Sequence, residues 1–161
     1  MKKVIVSLLL VVLFVSHSYA IAISDVPDRY EQYATDVDGN KFYIDIYTVK
    51  RTENPNIIRY WSKQVVSDKS RKQRGANEKN KYWKNIYQKT FEIKTCIEID
   101  TNRSMRRVVQ GAYYSRAGKS LHTYTPLLNI WEDWEYIVPD TVGESGYIAA
   151  LALVRAQEYK H

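Results

Sequence analysis

From about residue 30 onward, apolar and polar residues alternate with a period of two. This is the spacing at which successive side chains of an extended strand fall on opposite faces. Tyr30 to Val37 and Phe42 to Ile46 are two such runs, and Asp38-Gly39 stands between them. An Asp-Gly pair flanked by strand-like runs predicts a tight hairpin, because glycine accepts the positive φ that the turn requires. In the second run Phe42, Ile44 and Ile46 share one face, and Tyr43 and Asp45 share the other. Asn54-Pro55-Asn56 marks a turn, after which Ile57 to Val66 reads as a strand. Ile86 to Ile99 reads as a long strand with Phe91, Ile93, Thr95, Ile97 and Ile99 on one face and Glu92, Lys94, Cys96 and Glu98 on the other. Asp100-Thr101-Asn102 turns the chain into Met105 to Ser115, and Ala117-Gly118-Lys119 turns it again into Ser120 to Tyr124. Trp131 to Val138 follows and ends at Pro139.

The period changes near the C-terminus. After Gly146, Ile148, Leu151, Ala152 and Arg155 fall on one helical stripe, overlapped by Tyr147, Leu151 and Val154. The stretch is rich in alanine and leucine, both strong helix formers. Asp140, or Thr141 with Glu144 three residues on, can cap its N-terminus. The expected architecture is α+β: an antiparallel, hairpin-connected sheet of about six strands packed against one C-terminal helix.

One stretch fits neither period. Between Ser67 and Lys84 the chain carries Lys69, Arg71, Lys72, Arg74, Lys79, Lys81 and Lys84 against Asp68 and Glu78, with Gly75 and two asparagines. It reads as a long, basic, mobile loop between two strands. Trp83 and Tyr82 are interleaved with the basic residues. These residues, Lys69, Arg71, Lys72, Arg74, Lys79, Lys81, Trp83 and Lys84, are the candidate partner-binding set.

The N-terminus changes what that set can mean. Lys2 and Lys3 precede an apolar run from Val4 to Val15, and Ser18 and Ala20 are the small residues of a cleavage site after Ala20. This is the pattern of a secretory signal, and the apolar run is shorter than the ~20 residues a membrane-spanning helix needs. Residues 1–20 are therefore expected to be a signal peptide and 21–161 a single exported domain. No cysteine stands near the cleavage site, so the mature chain is expected to be free of a lipid anchor and of a membrane span, in the periplasm or beyond. The full chain has 24 basic and 18 acidic residues. Basic residues with interleaved aromatics suit single-stranded nucleic acid, but export sets that partner aside. It leaves a protein or an acidic polymer at the envelope or a host surface.

Catalytic chemistry finds little support. Beyond the leader the histidines are His122 and His161, too few for a zinc site or a histidine-centred triad. Glu132, Asp133 and Glu135, between and beside Trp131 and Trp134, could be paired carboxylates, and more simply a solvated edge. No glycine-rich phosphate loop is present, and no cofactor or metal is expected. Cys96 is the single cysteine. Burial as a small hydrophobe is favoured over pairing with a second chain to form a dimer. The reading is an exported, non-catalytic binding module, with a structural or accessory periplasmic protein as the alternative.

Several segments together resemble the surface-adhesin protein E-like family of exported bacterial domains. They are the Asp38-Gly39 turn into Phe42-Tyr43-Ile44-Asp45, the strand Ile57 to Trp61, and Phe91 to Cys96. Further on come Ala112-Tyr113-Tyr114 leading to Gly118, then Trp134, and Ile137-Val138-Pro139-Asp140-Thr141 with Gly143-Glu144 opening the last helix. The resemblance implies a sheet packed on a C-terminal helix, a surface or periplasmic location and, by the family's name, adhesion to host components. Family members commonly carry a second cysteine in the last helix, bonded to the one in the Cys96 strand, and many are lipoproteins. This chain has Ala149-Ala150-Leu151-Ala152-Leu153 in that helix and no lipidation cysteine.

Mass spectrometry of the protein expressed with its leader in a Gram-negative host is expected to find Ile21 at the N-terminus. A mature protein that retains Met1 would contradict the leader.

Overall fold

The computed structural model describes residues 28–125 and 134–159. Residues 1–27, on which the expected signal peptide falls, and Trp131, Glu132, Asp133 and His161 lie outside the described residues. Eight strands form one antiparallel sheet: β1 (Tyr30–Thr35), β2 (Lys41–Asp45), β3 (Lys50–Arg51), β4 (Ile57–Val65), β5 (Glu92–Asp100), β6 (Met105–Tyr114), β7 (Ser120–Tyr124) and β8 (Glu135–Tyr136). The main path runs β1-β2-β4-β5-β6-β7, with β3 added to β4 and β8 added to β6. Three helices accompany it: α1 (Asp68–Asn77), α2 (Lys81–Lys89) and α3 (Val142–Glu158). The fold is α+β, as the patterning predicts.

The two-residue period locates the sheet because each strand has one apolar face. Tyr60 lies opposite Ile97 and Ile58 opposite Ile99 in the β4–β5 pairing. These four, with Ile44 from β2, are buried under Ala150 and Val154 of α3. Thr141 caps α3, its Oγ1 accepting from the Glu144 backbone N–H, and the Glu144 carboxylate accepts in return from the Asp140 N–H. This is the cap expected from Thr141 and Glu144, with the return bond made to Asp140, one residue before the N-cap, instead of to Thr141 itself.

Two expectations are corrected. The basic stretch after Ser67 is not a mobile loop: it forms two helices, α1 and α2, joined by a short turn. Ile86 to Lys89 belong to α2, so the strand expected from Ile86 begins only at Glu92. The errors have different causes. α1 has no apolar stripe to betray it, whereas α2 carries Trp83, Ile86 and Tyr87 at helical spacing, whose end reads as the start of a strand; both helices are also marked by their caps. Ser67 accepts from the Ser70 N–H, and Asn80 accepts from the N–H groups of Tyr82 and Trp83. Ser, Asp and Asn were read as loop residues where they begin helices.

The root of this helical pair is fixed to the sheet by Asn40, only 2 % exposed. Asn40 closes the Asp38-Gly39 turn. Its Nδ2 donates to Asp36 at 2.7 Å and to Ser70 Oγ at 2.8 Å, and its Oδ1 accepts from the Ser67 N–H at 2.9 Å. One amide thus ties the first hairpin to the start of α1.

The second face of the sheet holds the residues that alternate with the core. Its centre is Glu98, 2 % exposed. Arg59 Nε donates to one carboxylate oxygen at 2.8 Å, and Arg107 Nε donates to the other at 2.8 Å, with Arg107 Nη2 in ion-pair contact at 2.7 Å. Trp134 stacks on Arg107 and Arg103, with centroid distances of 4.7 and 5.2 Å. Beside this cluster the Lys63 ammonium sits 3.8 Å over Tyr30 and 4.7 Å over Tyr43. Cys96 lies on this face too, between Trp61 and Gln110 on its neighbouring strands, and is 4 % exposed. The expected burial is therefore found, on the face away from α3. A thiol so enclosed is not presented to a second chain.

Burial pushes the Glu98 carboxyl up, but the hydrogen bonds and charges of Arg59 and Arg107 outweigh it and hold the group below the usual carboxylate range. A depressed folded pKa gives stability that is present above the unfolded value of about 4.3 and is lost as pH falls through the folded value. Glu98→Gln is expected to destabilise the fold by about 2–3 kcal/mol at neutral pH, discounted for the exposure of the two arginines. The gap from wild type should be level from neutral pH to about 5 and should close below about 4. Urea denaturation across that range checks it; a gap independent of pH would remove Glu98 from this role.

Candidate functional site

Of the two surfaces rich in cations, the open sheet face is largely self-neutralised. Arg59 and Arg107 are held by Glu98, Arg29 by Asp45, Arg103 by Asp100 and Lys94 by Glu92. The α1–α2 hairpin is different, and its geometry begins with how the helices meet. Gly75 of α1 is buried against Gln88 of α2, where a Cβ would lie 2.5 Å from Gln88 Cγ. The absence of a side chain at residue 75 is what lets the helices approach. Beside that contact the helices leave an open groove of about 490 Å³ lined by Asp68, Arg71, Lys72, Ala76, Lys84 and Gln88.

The structure brings three of the candidate basic residues together here: Arg71 and Lys72 from α1 and Lys84 from α2. Asp68 is the single acidic residue of the lining, and it pairs with Arg71 within the first turn of α1. Lys72 and Lys84 have no ion pair among the described residues. Lys79 and Lys81 flank Asn80 at the exposed turn between the helices, where they continue the positive surface.

The other candidates are placed elsewhere. Lys69 sits at the root of α1, 2.8 Å from Asp38. Arg74 is on the opposite side of the hairpin, in a depression shared with Glu78, Tyr87 and Tyr113. Trp83 faces the sheet: it stacks on Tyr87 at 5.8 Å, and meets His122 edge-on at 4.7 Å and Tyr113 at 6.4 Å. Tyr82 also turns to this cluster, its hydroxyl 3.1 Å from His122 Nδ1. These aromatics fasten α2 to β6 and β7, and Trp83, named in the partner-binding set, packs among them. In sequence it looks like part of a basic-aromatic motif; in space Arg71, Lys72 and Lys84 line a groove without aromatics, and only Arg74 of the candidate arginines lies beside aromatic side chains.

The residues considered for catalysis are also separated. His122 pairs with Tyr113, whose partner Ile93 shares the helix-covered face; Cys96 is on the other. Burial, with a contribution from Glu98, pushes the Cys96 thiol up against the lowering effect of Arg59. A thiol held protonated and enclosed is a poor nucleophile. Glu135 is paired with Arg106 at 3.3 Å.

No protein-family model matches the chain, and no curated protein matches it by sequence. Solved structures do. Protein E of Haemophilus influenzae, in crystal form II, is similar over 80% of this chain and 91% of that chain, with a TM-score of 0.50 and 13% identity. Protein E from non-typeable Haemophilus influenzae covers 86% and 93%, with a TM-score of 0.46 and 14% identity. A further protein E structure covers 81% and 86% at a TM-score of 0.44 and 15% identity. The first of these shows that the chain has a protein E-like fold, in agreement with the resemblance seen in its motifs.

If Trp83 is packing, Trp83→Ala should lower stability by about 2 kcal/mol, less than a fully buried tryptophan would cost. Chemical denaturation measures this. Unchanged stability would return Trp83 to the partner-binding set.

Proposed function

We propose that this chain is an exported, non-catalytic binding module of adhesin type, which presents the α1–α2 hairpin to an acidic macromolecule of the envelope or of a host surface. The observation that carries the reading is the convergence of Arg71, Lys72 and Lys84, from two helices, on one open groove with a single carboxylate in its lining. Cations gathered at one place in excess of carboxylates raise the local concentration of an anionic partner and steer its approach. Most arginines of the sheet are held in internal ion pairs, whereas Lys72 and Lys84 have none among the described residues. The leader-like N-terminus supports a partner outside the cytoplasm, and the protein E-like fold accords with the adhesin resemblance. Among the described residues no helix is long and apolar enough to cross a membrane.

The test uses residues 21–161, purified and passed over immobilised envelope and host-matrix components in a salt series. Binding that weakens as salt rises is expected. The triple variant Lys79→Gln/Lys81→Gln/Lys84→Gln should bind about tenfold more weakly at low salt and show a flatter salt dependence. Binding by this variant equal to that of wild type would exclude the hairpin as the binding surface.

A further inference from the structure

Resting on the hairpin as the binding surface, we infer that the α1–α2 groove seats an anionic group of a linear acidic polysaccharide, and that Arg71 takes this group in exchange for Asp68.

The first observation is a donor left over. Among the described residues, Arg71 Nε is the buried side-chain polar atom without a hydrogen-bond partner. Buried donors are nearly always paired, and an unpaired one calls for a missing acceptor. Arg71 meets Asp68 through Nη2 alone. A guanidinium is built to hold two oxygens at once through a fork of N–H groups, so this pair uses only part of its capacity. The Asp68 side chain is 70% exposed. Water and salt compete for such a carboxylate, and its hold on the arginine is easily exchanged. When the guanidinium swings off Asp68 toward the groove, Nε emerges with Nη2, and both can donate to one carboxylate or sulfate group.

The second observation is the surroundings. Lys72 and Lys84 face the same groove from the two helices. Three cations against one carboxylate leave an excess positive charge beside the freed guanidinium. Lys79 and Lys81 extend the cationic surface to the hairpin turn, so a ligand with repeated charges can follow it beyond the groove.

The third observation selects the ligand class. α1 reads Asp-Lys-Ser-Arg-Lys-Gln-Arg-Gly-Ala-Asn and has no apolar face to enter a bilayer. Trp83 and Tyr87 are turned onto Tyr113, and Tyr82, half exposed, is tied to His122, so the groove itself is lined by no aromatic on which nucleobases could stack. The groove likewise lacks the aromatic anchor that protein interfaces favour. What remains outward is charge on a polar groove, which suits a hydrophilic polyanion.

Heparin is the probe, with anionic phospholipid vesicles and a single-stranded oligonucleotide as competing classes. Wild type should bind heparin more tightly than either. Arg71→Lys keeps the charge and removes the fork; it should weaken heparin binding about tenfold while leaving the salt slope unchanged. Asp68→Asn frees the arginine and should strengthen binding about threefold, a gain that a folding defect cannot imitate. Glu78→Gln removes a carboxylate on the other side of the hairpin and should strengthen it less. The inference is overturned by wild-type affinity in Arg71→Lys, by equal gains in Asp68→Asn and Glu78→Gln, or by preference for vesicles or oligonucleotide. Heparin binding that falls in the lysine triple variant but not in Arg71→Lys would remove the Arg71 exchange and leave the hairpin reading standing. No change in any hairpin variant would remove both.

Discussion

Ile97 and Ile99 on β5 lie against Tyr60 and Ile58 on β4, and Ala150 and Val154 of α3 close over them. This contact decides the rest of the architecture. A strand at the centre of a sheet exposes two faces, and only one can be covered by a single C-terminal helix. The residues between, Cys96 and Glu98, are therefore committed to the side that α3 does not reach. A carboxylate buried at that position is tolerable because two arginines from the flanking strands supply both of its oxygens with donors. The tyrosines over Lys63 shelter its ammonium in the same way, aromatic faces standing in for lost water.

The placement of charge follows from that arrangement. On the open face, strand neighbours at fixed spacing bring opposite charges within reach, and the cations there are largely consumed in cross-strand and local pairs. The helical hairpin projects from the end of β4 and returns to β5, outside this network. Beyond Lys69, which reaches Asp38 at its root, its lysines have no ion pair among the described residues. The same number of positive charges would mean little if spread over the sheet; on the hairpin they remain available.

The sheet was legible from the chain because burial on one face imprints a two-residue alternation, clearest in Ile93, Thr95, Ile97 and Ile99. The final helix was legible because a face must fit the sheet, and the Thr141 and Glu144 cap could be read directly. The hairpin was not, for a physical reason. α1 buries little beyond Ser70 and Gly75, so it leaves no apolar periodicity, and its Gly75 looked like a breaker when it is a contact point. Ser67 and Asn80 were the available signals for the caps, and Trp83, Ile86 and Tyr87 at helical spacing the signal for α2. The basic residues were identified from composition alone, but which of them meet depends on the angle at which two helices pack. That separated Arg71, Lys72 and Lys84 from Arg74, and turned Trp83 inward. The burial of Cys96 was foreseen from residue type; its cover by its own strand neighbours was not.

Asn40 has a consequence for how this surface can vary. The amide side chain that roots α1 lies on the far side of the hairpin's function: it holds Asp36, Ser67 and Ser70, and none of the groove's cations. Attachment and display are thus encoded by different residues. The outer charges can be rewritten one at a time, to another pattern or another ligand, without disturbing the joint that carries them. Asn40 and Ser70, thirty residues apart in the chain, can change only in concert. The hairpin is in this sense an exchangeable head on a fixed mount.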